Sequence, residues 1–97
     1  MEDDKLFSTR DIYLASALMT LGFEITNVDF QLEGQRNYPV GYFNFENTQE
    51  LRNAEKDFWQ GKVVVEPRAF VTNMRGLKAN ISNVYKNPRK ENFDKKS

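Results

Sequence analysis

The apolar residues of this 97-residue chain change period at Gly22. Before it, Leu14, Leu18 and Leu21, flanked by Ala15, Ala17 and Met19, recur at the spacing that puts side chains on one face of a helix. After it, Phe23 and Ile25 alternate with polar residues, and Val28, Phe30 and Leu32 alternate in the opposite phase. Such a chain cannot be all helix or all sheet. The phase reversal at Thr26-Asn27 sends the two strand sets to opposite faces unless a bulge or bend intervenes. Gly22, at the switch itself, suits the left-handed residue that closes a helix.

The other elements follow from caps and breakers. Ser8 with Asp11 three residues on resembles a capping box, and Phe7 with Ile12 a hydrophobic staple, so the first helix is expected to begin near Ser8. Glu33 to Asn37, with Gly34 inside, reads as the turn of a hairpin whose second strand is Tyr38 to Glu46. Pro39 cannot donate to a ladder, which places the start of that strand at an edge or outside the sheet. Asn47 with Glu50 is a second capping signature, and Leu51 and Phe58 mark one face of the helix it opens. Lys62-Val63-Val64-Val65, bounded by Gly61 and Pro67, reads as a brief extended segment or a short third strand.

Pro67 suits the first position of a last helix, and Phe70, Met74, Leu77, Ile81 and Val84 give it a sustained apolar seam. Gly76 inside that helix costs about 1 kcal/mol relative to Ala, and close approach by another element is the expected compensation. Asn87-Pro88 ends it. The expected class is α+β: a small antiparallel sheet, made of the hairpin with or without the short third strand, and three helices in the order α-β-β-α-β-α. Residues 1–87 form one domain and 88–97 a basic, disordered tail.

With no Cys and no His, the chain has no thiol nucleophile, no disulfide, no imidazole base and none of the usual zinc ligands. Carboxylates are plentiful, but pairs such as Glu55 and Asp57 point in different directions on their helix, and no glycine loop accompanies them. Arg10 and Asp11 read as a local salt bridge. The expectation is a non-enzymatic protein without cofactor or metal. No apolar run is long enough to span a bilayer, and Met1-Glu2-Asp3-Asp4 is acidic where a signal peptide is basic, so a cytoplasmic location is expected.

Charge is balanced in total but not along the chain. Residues 1–66 carry six basic and twelve acidic side chains, a net of −6, and residues 67–97 carry eight basic and two acidic, a net of +6. Arg68, Arg75, Lys78 and Lys86 lie on the last helix, and Arg89 and Lys90 follow it. These six are the expected phosphate contacts of a nucleic-acid-binding module. Arg36, Tyr42 and Trp59 are candidates for stacking on bases or for contact with a partner. The alternative is a protein-interaction module, an inhibitor, adaptor or homodimer, docking through its aromatic sheet face or acidic first half. Two copies would then join by a sheet edge or by the Phe70–Val84 seam.

Two stretches carry a family resemblance. One runs Phe7-Ser8-Thr9-Arg10-Asp11-Ile12-Tyr13-Leu14-Ala15-Ser16 and ends in Leu21-Gly22-Phe23. The other runs from Phe58-Trp59-Gln60-Gly61 through Val65-Glu66-Pro67-Arg68 to Phe70 and Leu77-Lys78. Together they resemble a family of short bacterial and phage-encoded domains of unknown function, over roughly residues 6 to 82. The resemblance implies a cytoplasmic, mobile-element setting and transfers no activity and no site residues.

Overall fold

A computed structural model of the chain describes residues 5–86, with side chains up to residue 81. Its elements are β1 (Leu6–Thr9), α1 (Ile12–Thr20), β2 (Ile25–Glu33), β3 (Tyr38–Glu46), α2 (Gln49–Trp59) and α3 (Pro67–Lys86). The strands form one antiparallel sheet in the order β1-β3-β2. The class is therefore α+β, with three helices and a small antiparallel sheet as expected. The expected basic tail, residues 88–97, lies outside the described residues.

The third strand comes from a different place than the sequence suggested. Leu6–Thr9 pairs with Phe43 to Glu46, so the order along the chain is β-α-β-β-α-α. β3 has two edges and β1 and β2 take both, which leaves Lys62–Val65 as an unpaired connection between α2 and α3. Val64 there is 87% exposed. Because β1 reaches only Phe43, Pro39 lies in the part of β3 that has a neighbour on one side, where its missing N–H is tolerated.

Two caps shift with it. Ser8 belongs to β1, and its hydroxyl donates to Asn44 Oδ1 across the sheet rather than to a helix start. Asp11 is the cap of α1: its Oδ1 accepts from the backbone N–H of Tyr13 at 2.9 Å and of Leu14 at 3.1 Å. Phe7 faces the core and tilts against Phe45, with ring centroids 6.5 Å apart, instead of stapling the helix. Asn47 continues the β1–β3 ladder by donating its N–H to Lys5 O at 3.0 Å, so the cap of α2 passes to Thr48, whose hydroxyl accepts from Leu51 N at 3.1 Å.

The bulge expected at the phase reversal is present: the β2–β3 register shifts between Ile25 and Asn27. Ile25 opposite Phe45 and Val28 opposite Phe43 thereby face the same side. That side is the core. Leu14, Ala15 and Leu18 of α1, Phe43 and Phe45 of β3, Leu51 of α2 and Leu77 of α3 form its buried centre. All three helices pack on this one face. α1 is buried over five consecutive residues, Leu14 to Leu18, because α3 and α2 flank it while the sheet lies beneath.

Close approach between helix and sheet occurs at Gly41, not at Gly76. A Cβ built on Gly41 would stand 3.2 Å from Phe30 Cε1 and 3.3 Å from Ile81 Cγ1, whereas nothing lies within 4 Å of one on Gly76. Gly76 faces solvent on α3, so its helix cost has no packing compensation among the described residues.

Candidate nucleic-acid interface

α3 owes its start to Glu66 and Pro67. Proline has no N–H to satisfy, and the Glu66 carboxylate accepts from the next two, Arg68 N at 3.1 Å and Ala69 N at 2.7 Å. The apolar seam then fixes the rotation of the helix. Leu77 enters the core, Ile81 packs against it, and Asn73 Nδ2 donates to Thr20 Oγ1 of α1 at 3.0 Å. The Leu77–Ile81 part of the seam is thus engaged inside the molecule. The side chain of Val84 lies outside the described residues.

This rotation turns the opposite face outward. Arg68, Val71, Thr72 and Arg75 line a shallow groove with Pro67, and Lys78 follows within one turn, all of them exposed. Arg68 and Arg75 are two turns apart, about 10 Å along the axis, a spacing that can serve separate phosphates. Among the described residues Arg10 and Glu33 form the single ion pair, so these three cations are not neutralised by a described carboxylate. Lys86 is the last residue of α3, and its side chain, with Arg89 and Lys90, lies outside the described residues.

The other face of the sheet carries no helix and has a different chemistry. Tyr42 points there, as the alternation with Phe43 requires, but its ring is not a free platform. Its hydroxyl donates to Glu33 Oε2, and the Arg10 guanidinium sits 5.9 Å from the ring centroid while holding Glu33 Oε1 at 3.1 Å. Donation to Glu33, with burial second, holds the Tyr42 phenol above its ordinary value of 10.0. Arg10 therefore pairs with Glu33, not with Asp11, whose carboxylate is occupied capping α1. The pairing was invisible in the sequence because it depends on β1 lying beside β3.

Next to this triad Asn44, 2% exposed, is held by polar neighbours. Its Nδ2 donates to Asn27 Oδ1 at 3.2 Å and Asp29 Oδ2 at 2.9 Å, and Asn27 Nδ2 donates to Asp29 Oδ1 at 2.9 Å. This face is polar and carries Asp29, Glu33 and Glu46 against Arg10. The three residues read as stacking or partner contacts are not brought together. Arg36 is exposed in the β2–β3 turn, Tyr42 is on the helix-free sheet face, and Trp59 ends α2 on the helical side. Trp59 is 58% exposed, packs edge-on to Phe58 and donates from Nε1 to Glu55 Oε2 at 3.2 Å.

These features define a small α+β domain with its helices on one side of a three-stranded sheet, the outer face of α3 basic and the helix-free face of the sheet mildly acidic. The chain belongs to the family described as Domain of unknown function (DUF5659), whose model matches residues 4–83. No curated protein and no solved structure matches it. No described helix is long and apolar enough to cross a membrane.

Proposed function

We propose that this protein is a small non-enzymatic nucleic-acid-binding module that contacts phosphates through the outer face of α3 and the basic residues that follow it. The observation carrying this reading is the exposed row Arg68, Arg75 and Lys78, on a helix whose other face is locked into the core. Thr72, between the two arginines, adds a hydroxyl donor. Such contacts position a backbone without reading sequence. Lys86, Arg89 and Lys90 extend the same charge. The bacterial or phage cytoplasm implied by the family resemblance is the setting proposed for it.

The sheet takes no part in this contact. Glu33 and Asp29 set negative charge around the tyrosine, which disfavours an approaching phosphate, and the Tyr42 ring is already engaged by Arg10. Bases are therefore left unstacked on that side.

Fluorescence anisotropy with a short duplex and a short single strand tests the reading. Three phosphate contacts give a salt slope near −2.7, so affinity for the duplex falls roughly 40-fold between about 50 and 200 mM salt. Lys86, Arg89 and Lys90 steepen it further. No binding at the lower salt, or binding that salt leaves unchanged, sinks the proposal.

A further inference from the structure

We propose that the outer edge of β2 is the interface of a two-fold homodimer, in the register that sets Phe30 opposite Phe30 of the second copy. This inference stands independently of nucleic-acid binding.

β2 and β1 are both edge strands, but they are not equally exposed to pairing. β1 is four residues long, a length that by itself blunts an edge, whereas β2 runs for nine. The sequence Ile25–Glu33 has no proline and no lysine, the residues that commonly guard such an edge, and β3 is its one extensive neighbour among the described residues. At its far end Leu32 is 67% exposed on the face that elsewhere forms the core. The helices do not reach it.

A second copy is the occupant that the side-chain pattern fits, and the pattern selects the register. A two-fold axis perpendicular to the sheet keeps both cores on one side, so facing residues must share a face. Centring on Asp29 sets two carboxylates directly opposite each other. Centring on Gln31 sets Asp29 opposite Glu33. Both are destabilising. Centring on Val28 leaves Leu32 uncovered and draws the bulge at Thr26 into the pairing twice.

Centring on Leu32 pairs only Gln31 to Glu33 before the strand ends, whereas centring on Phe30 pairs Asn27 to Glu33 and has none of these faults. Val28 then faces Leu32 of the second copy, which covers the exposed leucine, and the two Phe30 rings meet at the axis. On the other face Asp29 meets Gln31 and Asn27 meets Glu33, so each carboxylate faces an amide that can donate to it. The result is a continuous six-stranded sheet, with both α3 helices on the same side.

Sedimentation equilibrium of the full chain, from about 1 to 500 μM, tests the inference. The expected result is a concentration-dependent shift from monomer to dimer mass. Leu32→Lys, at an exposed position, should keep the circular dichroism of the wild type and weaken the dimer at least tenfold. Gln31→Lys reports the register: opposite Asp29 it forms two new ion pairs and tightens the dimer several-fold. A wild-type chain monomeric throughout, a dimer indifferent to Leu32→Lys, or one weakened by Gln31→Lys overturns the proposal.

Discussion

Ile81 of α3 rests over Gly41 of β3, its Cγ1 only 3.3 Å from where a Cβ at position 41 would stand. The absence of a side chain there lets the last helix settle on the central strand. Gly41→Val should therefore overpack the junction and cost about 1–3 kcal/mol. Gly76→Ala, with open space around it in the same helix, should gain about 1 kcal/mol. Urea unfolding of the two variants separates them by sign, and a stabilised Gly41→Val would contradict the close approach.

Asp11 is the residue on which α1 begins. Asp11→Ala removes an acceptor shared by two backbone N–H groups and should cost about 0.5–2 kcal/mol. Denaturant midpoints at neutral pH measure this. An unchanged midpoint would mean the helix is held by packing alone.

The Tyr42 phenol gives the fold a signature at high pH. Its pKa is raised in the folded state by donation to Glu33, so the stability this contact supplies is complete below pH 10.0, the ordinary phenol value, and is lost as pH climbs through the folded value. Ultraviolet titration should show a tyrosine ionising above pH 10.0. Glu33→Gln should lower that ionisation towards the ordinary value. If Glu33→Gln leaves the titration unchanged, the hydroxyl is not held as described.

Removing one phosphate contact should be visible in the salt dependence. Arg75→Ala should flatten the slope of log affinity against log salt by about 0.9 on duplex and weaken binding alike across sequences. Tyr42→Phe and Trp59→Ala should leave that slope unchanged, since neither ring lies on the basic face. Anisotropy titrations at several salt concentrations decide between these outcomes.

How much of this was legible in the sequence depended on whether the signal was local. The helical stripe of Leu14 and Leu18, the hairpin around Gly34 and the proline-opened α3 are periodic or punctuated within a few residues, and all three stand. The bulge at Thr26 was legible for the same reason, because a phase reversal within one buried strand admits few geometries. Ser8 and Asn47 misled as caps because each is claimed by the β1–β3 ladder, a pairing between segments far apart in the chain. Lys62–Val65 has the composition of a strand, but both edges of β3 were already taken. At the site, exposure of the α3 cations followed from the seam on the opposite face. Arg10 over Tyr42 could not be read, since it needs the same distant ladder.

That ladder also sets how the molecule comes apart. The β2–β3 hairpin closes through a short turn, while the bond from Ser8 to Asn44 spans 36 residues and encloses α1. A loop of that size costs more entropy to close, and the four-residue β1 has few ladder bonds to offset it. Detachment of β1 alone would uncover Phe45 without disturbing the hairpin, so the amino-terminal strand acts as a clasp that opens ahead of global unfolding. Native-state hydrogen exchange should find the amides of Phe7 and Thr9 exchanging through a smaller opening free energy than those of Asp29 and Tyr42, which pair within the hairpin. The transiently bared edge of β3 is then where misassembly of this chain would begin.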